Sequence, residues 1–239
     1  QGVSSAASDV YKRQDMEDLF SSKTNITSLD LSGWDTSNVT NMKKMFTDCS
    51  FLTSITFGDN FDTSNVTSMR QMFYNCSALT SLDLSNFDTS SVPDMDYMFY
   101  SCSALTSLDV SSFDTSNMTN MIAMFGNCYD LASLDVSNFD TSNVTSMRQM
   151  FMYCSDLTSL DVSNFDTSNV TSMDYMFQSC NALASLDISG WCVTNITSEP
   201  SNFATNAPFA NTPSNLPVWG TCPGPQGPVS YTHLRAHET

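Results

Sequence analysis

Residues 79–104 read LTSLDLSNFDTSSVPDMDYMFYSCSA, and this unit recurs along most of the chain. Six cysteines mark the register at Cys49, Cys76, Cys102, Cys128, Cys154 and Cys180, with spacings of 27, 26, 26, 26 and 26 residues. One extra residue in the Gly58–Asp59–Asn60 turn accounts for the longer first step. A fixed period of this length is the signature of a solenoid, in which no unit can bury its apolar face alone and stacking makes a continuous core.

The hydrophobic rhythm changes inside each unit. Leu79, Leu82, Leu84 and Phe87 give LxxLxLxxF, with Asp83 pointing away between two apolar neighbours. That alternation predicts a short strand with one buried face. Val66, Met69, Met72, Phe73 and Cys76 follow at offsets 0, 3, 6, 7 and 10. On a helical wheel they fill one arc of about 120°, which predicts a short helix. Pro93 fits its first turn, and the Asp-Thr-Ser-Asn upstream supplies turn and cap chemistry. A strand and a short helix every 26 residues define an α/β leucine-rich-repeat solenoid of about seven units.

Like residues then form ladders. One runs Leu29, Ile55, Leu82, Leu108, Leu134, Leu160, Leu186; an aromatic one runs Trp34, Phe61, Phe87, Phe113, Phe139, Phe165, Trp191. A methionine ladder (Met45, Met72, Met98, Met124, Met150, Met176) reads as core filling rather than copper handling. Met16, Leu19, Phe20 and Ile26 align with Met69, Met72, Phe73 and Leu79, so the repeat region is expected to begin inside an earlier unit.

The ends follow other rules. Residues 3–14 and 229–239 share no pattern with the repeats and resemble translated sequencing-adapter peptides, so 1–14 and 229–239 are set aside as non-native. The expected organisation is a solenoid over 15–190, a C-terminal capping unit over 191–222 and a linker over 223–228. Seven of the eight prolines lie between Pro200 and Pro228, where the periodicity stops.

The net charge of −17 excludes the usual phosphate-binding surfaces and favours solubility. No nucleic-acid partner, no direct membrane insertion and a monomeric state are expected. The repeat cysteines read as small buried thiols, because helices packed about 8–10 Å apart would hold adjacent Cα atoms beyond the roughly 7 Å limit for a disulfide. Cys192 and Cys222 are off register and bracket the cap, which predicts a disulfide between them.

The acidic ladder is the candidate binding surface: Asp83, Asp109, Asp135, Asp161 and Asp187, preceded by Asp30 and interrupted by Thr56, with Ser85, Ser111, Ser137 and Ser163 beside it. In a leucine-rich solenoid this is the concave face. It reads either as a solvated polar face or as a site for a basic protein, a glycan or bridging Ca²⁺, although one Asp per rung gives calcium few of its six to eight oxygens. A second line, Asp35, Asp62, Asp88, Asp114, Asp140 and Asp166, reads as turn hydrogen bonding. The sequons at Asn38, Asn65, Asn143 and Asn169 read likewise. No metal or cofactor is assigned. Copied carboxylates do not make the singular constellation that acid–base catalysis needs, so no catalytic residue and no enzymatic activity are expected. A threonine ladder (Thr27, Thr53, Thr80, Thr106, Thr158) raises an ice-binding alternative, interrupted by Ala132 and Ala184.

The pattern MF-x-x-C followed by LTSLDxSxFDTSxVT, unit after unit, with WCVTNIT at 191–197 and PVWGTCPG at 217–224, closely resembles BspA-like leucine-rich-repeat surface proteins of bacteria, including repeats of mycoplasma lipoproteins. The resemblance covers roughly residues 15–222. It implies a secreted, cell-surface protein that adheres to host matrix proteins, glycans or other cells, and it brings no catalytic residues. A purely structural spacer within a larger surface protein is the alternative.

Overall fold

The computed structural model describes residues 14–223. The adapter-like segments, apart from Gln14, and the linker beyond Pro223 lie outside the described residues. What is described is a stack of 26-residue coils whose apolar positions form one continuous core. Met42, Met69, Met95, Met121, Met147 and Met173 are buried in one column, and Phe46, Phe73, Phe99, Phe125, Phe151 and Phe177 in another. The rings of this second column stack with centroids 5.4–5.8 Å apart.

Two strands are regular: β1 (Ser28–Leu31) pairs in parallel with β2 (Ser54–Phe57), with Leu29 opposite Ile55 and Asp30 opposite Thr56. In later coils the same segment keeps its in–out alternation, Leu82 and Leu84 buried around exposed Asp83, while an isolated bridge joins Ser133 and Ser159. Gly58 is fixed by close approach, since a Cβ there would lie 2.6 Å from Ser32 Cα.

The predicted helix does not form. Its residues make a run of tight turns instead, and the reason lies in where the N–H groups go. Met42, Lys44, Phe46 and Asp48 donate to Ser68, Arg70, Met72 and Tyr74 of the next coil at 2.8–3.0 Å, while Met45, Thr47 and Cys49 donate to carbonyls three residues back at 3.0–3.2 Å. An α-helix would commit every N–H to its own segment, four residues back. Here every second N–H bonds the neighbouring coil. The geometry needs two left-handed residues per coil, such as Lys44 (φ 56°) and Asp48 (φ 59°) or Tyr97 (φ 59°) and Ser101 (φ 60°). Each costs about 1–2 kcal/mol for a residue with a Cβ, which the inter-coil bonding offsets. The apolar offsets suit both geometries, because either one turns Met69, Met72, Phe73 and Cys76 inward. Pro93 therefore does not open a helix. It has no N–H to give Thr67, in a ladder where Thr67 and Thr145 bond Thr40 and Thr119 at 2.8 and 2.9 Å.

The side opposite the strand face is joined at backbone hydrogen-bond spacing, so thick helices are not there to bow the strand face inward. All six repeat cysteines are buried and free, but with no helices there, helix spacing is not what keeps them apart. Each thiol instead donates to a phenylalanine carbonyl of the preceding coil, as Cys102 does to Phe73 at 3.2 Å.

At the C-terminal end the period gives way to two short 3-10 segments, Pro208–Asn211 and Pro213–Asn215. Phe203 and Phe209 close the ring column edge-on to Phe177, and a disulfide joins Cys192 to Cys222. Asn215 O accepts the N–H of Ile188 at 2.8 Å, so the returning chain lies against the last coil.

Candidate functional site

The segment S-N-F-D-T-S-N shows how polar residues hold the coils together. In Asp-Thr-Ser-Asn, the Asp accepts the N–H of the Ser two residues on, as Asp114 does from Ser116 at 2.9 Å. The Thr is buried and donates to the Asp carbonyl of the next coil, as Thr115 does to Asp140 at 3.0 Å. The Asn amide reaches back to the preceding coil, Asn143 to Ser116 at 2.9 Å and Asn169 to Ser142 at 2.7 Å. The second acidic line is thus turn chemistry, and the sequon asparagines Asn65, Asn143 and Asn169 have their amides engaged.

The first acidic line turns out to use the same device. Asp83, Asp109, Asp135, Asp161 and Asp187 are exposed, each with Oδ1 accepting the N–H of Ser85, Ser111, Ser137, Ser163 or Ser189 at 2.9–3.0 Å. The serine hydroxyl, then its N–H, holds Asp109 and Asp187 below the ordinary carboxyl range; for Asp83, Asp135 and Asp161 the N–H contributes first. Repulsion from Asp109 on Asp83, and from Asp161 and Asp109 on Asp135, acts the other way and is outweighed. A row of ionised carboxylates therefore persists at neutral pH, each exposed and hydrogen-bonded among the described residues through Oδ1.

The structure gathers these residues into shallow grooves on the strand face. Asp83 and Ser85 line one of about 220 Å³ with Thr56 and Phe57. Asp109, Ser111, Asp135 and Ser137 line one of about 430 Å³. Asp161, Ser163 and Asp187 line the largest, about 750 Å³, with Ser189, Trp191 and Asn215. No group of three or more His, Cys, Asp or Glu side chains able to hold a metal ion occurs among the described residues. No helix there is long and apolar enough to cross a membrane.

Sequence reasoning missed a further asparagine column on this face. Asn138 Nδ2 donates to Val110 O (3.1 Å) and Phe113 O (2.9 Å), and Asn164 Nδ2 to Val136 O (3.2 Å) and Phe139 O (2.9 Å). Aligning residues 86, 112, 138, 164 and 190 shows asparagine at 86, 138 and 164, with Ser112 between them and Gly190 after them. The wall supplied by Asn215 had no signal, because it lies outside the repeat.

Coil stacking, ladder chemistry and a grooved strand face define a leucine-rich-repeat solenoid. The family model described as "Mycoplasma protein of unknown function, DUF285" matches residues 14–129 and 104–219. The chain belongs to this family, in agreement with its resemblance to BspA-like repeats. Among solved structures it is similar to the T. pallidum leucine-rich-repeat protein TpLRR, with 17% identity over 70% of this chain and 69% of that one, and a TM-score of 0.43. It is also similar to a leucine-rich-repeat protein from Bacteroides ovatus, with 18% identity over 66% of this chain and a TM-score of 0.38. The chain spans 45% of that Bacteroides protein. A comparison with curated proteins finds no match.

Proposed function

We propose that this protein is a non-enzymatic binding module of a bacterial cell surface, recognising an extracellular protein or glycan through the Asp- and Ser-lined strand face. One observation carries the reading. Five exposed aspartates share one register position, each oriented through Oδ1 by the N–H of the serine two residues on. Such a preorganised row presents charge at fixed spacing, which favours steering and orienting a partner over chemistry. The family assignment supports a repeat-built interaction surface, and the BspA-like resemblance supports the cell-surface location.

A spacer within a larger surface protein is the second reading. The turn bonds of these aspartates favour it, because they give the residues a structural use without a ligand. The replacement Asp109→Asn/Asp135→Asn/Asp161→Asn separates the two. Asparagine keeps the turn acceptor and removes the charge, so the fold is retained. A binding face loses adhesion to matrix proteins or cells, and unchanged adhesion rejects it.

A further inference from the structure

Three columns of carbonyl oxygens show how each coil grips the next. Thr27, Thr80, Thr106 and Ala132 each accept a backbone N–H from the following coil at 2.8–3.5 Å. Ser37, Ser90, Ser116, Ser142 and Ser168 each accept an asparagine amide at 2.7–2.9 Å. Thr40, Pro93, Thr119 and Thr145 each accept a threonine N–H at 2.8–3.3 Å.

All three columns fail together at one junction, between the coil of residues 53–78 and that of residues 79–104. Thr53 O, Ser64 O and Thr67 O receive no hydrogen bond among the described residues. Ser91 stands where the amide donor is asparagine in other coils, and Pro93 has no N–H. Backbone bridges break at the same place, running Asp15–Asn41–Ser68 and resuming Asp94–Asn120–Ser146–Ser172. A groove of about 220 Å³ between Thr56 and Asp83 follows the seam on the strand face. The cap junction also leaves Thr158 O and Thr171 O unbonded among the described residues. There, however, Trp191, Asn195, Ser201 and Asn215 tie the last coil down.

The side away from the strands is intact. Gln71, Phe73 and Asn75 donate their N–H groups across the junction to Asp96, Met98 and Tyr100 at 2.7–3.0 Å. The Tyr74 and Tyr100 rings stack there with centroids 5.2 Å apart. At the far edge the Thr63 hydroxyl pairs both backbone groups of Asp88 at 2.8 Å.

We propose that this junction is a hinge, at which two stiff blocks, residues 14–78 and 79–223, part on the strand side and pivot on the turn side. In stacked repeats stability is a sum of units and nearest-neighbour interfaces, so the interface with the fewest bonds opens first. Hinge opening concentrates the change at a few residues and leaves each block whole. Asp83, Asp109, Asp135, Asp161 and Asp187 all ride on the second block, so the row keeps its spacing while the coils of Asp30 and Thr56 swing. The inference stands apart from what the strand face binds.

Two measurements on the whole chain test it. The N–H groups of Asp88, Asp114 and Asp140 make the same bond, to Thr63, Thr89 and Thr115. In native-state hydrogen exchange Asp88 should be protected at least tenfold less than the other two. Spin labels on cysteines replacing exposed Ser28 and Ser107 span three junctions including this one, and Ser107 and Ser185 span three without it. The first pair should show a dipolar distance distribution at least twice as wide. Ser91→Asn/Pro93→Thr, which restores both ladder donors, should bring Asp88 protection within threefold of Asp114 and equalise the two widths. Equal protection at the three aspartates, equal widths in the parent, or a repaired variant that behaves as the parent does would each overturn the hinge.

Discussion

The hydroxyl of Thr89 donates to the carbonyl oxygen of Asp114 at 2.9 Å and accepts the N–H of the same residue at 2.8 Å. A buried side chain thus pairs both backbone groups of a residue one coil further on. The relationship repeats at Thr63–Asp88 and Thr115–Asp140. Thr89→Val keeps the shape and strands both groups, with an expected loss of about 2–4 kcal/mol in chemical denaturation. Thr89→Ser keeps the bonds and should lose less than half as much. A valine variant as stable as the parent would mean that the threonine column is mere filling.

The six repeat thiols should be chemically silent in the folded protein. Burial pushes Cys128 and Cys180 up to about 12, and it raises Cys49, Cys76, Cys102 and Cys154 as well. Thiolate is the reactive species, so a disulfide-exchange reagent should titrate none of the six natively and all six in denaturant. Rapid native labelling of Cys102 or Cys154 would contradict the closed core.

Asp96 makes a pH signature opposite in sign to that of the exposed aspartates. Burial raises it to about 6, helped by neighbouring Asp94 and countered by the Ile122 N–H and Arg70. Its folded form holds a proton that the unfolded chain releases near pH 4, so stability falls as pH rises from about 4 to 6. Asp109 and its counterparts are held low, and their contribution is lost as pH drops below 4 through their folded values. Asp96→Asn should therefore stabilise at pH 7 by about 1–2 kcal/mol, allowing for solvent screening, and change little near pH 3.5. Asparagine Oδ1 can still accept the Ile122 N–H that Asp96 takes at 2.9 Å. Equal effects at the two pH values would refute this assignment.

Period and buried columns were legible in the sequence, because burial depends on which residues face inward and the 26-residue register shows that directly. The backbone path behind Met69–Cys76 was not. Apolar offsets of 0, 3, 6, 7 and 10 fit a helix and a run of turns equally, and the deciding bonds reach residues one period away. Left-handed positions held by Lys44, Tyr97 and Gln149 rather than glycine gave no warning. The site was half legible. The Asp row follows from alternation, but its turn role was missed, because turn bonding was assigned to the second acidic line alone.

The claim on which everything else depends is that coils without helices stack at backbone hydrogen-bond spacing on the side away from the strands. Spin labels on cysteines replacing Thr40 paired with Thr119, Thr145 or Thr171, all exposed on that side, measure it by electron–electron dipolar distances. Separations should lengthen by about 5 Å per coil. Steps of about 8–10 Å per coil, the spacing of packed helices, would contradict it.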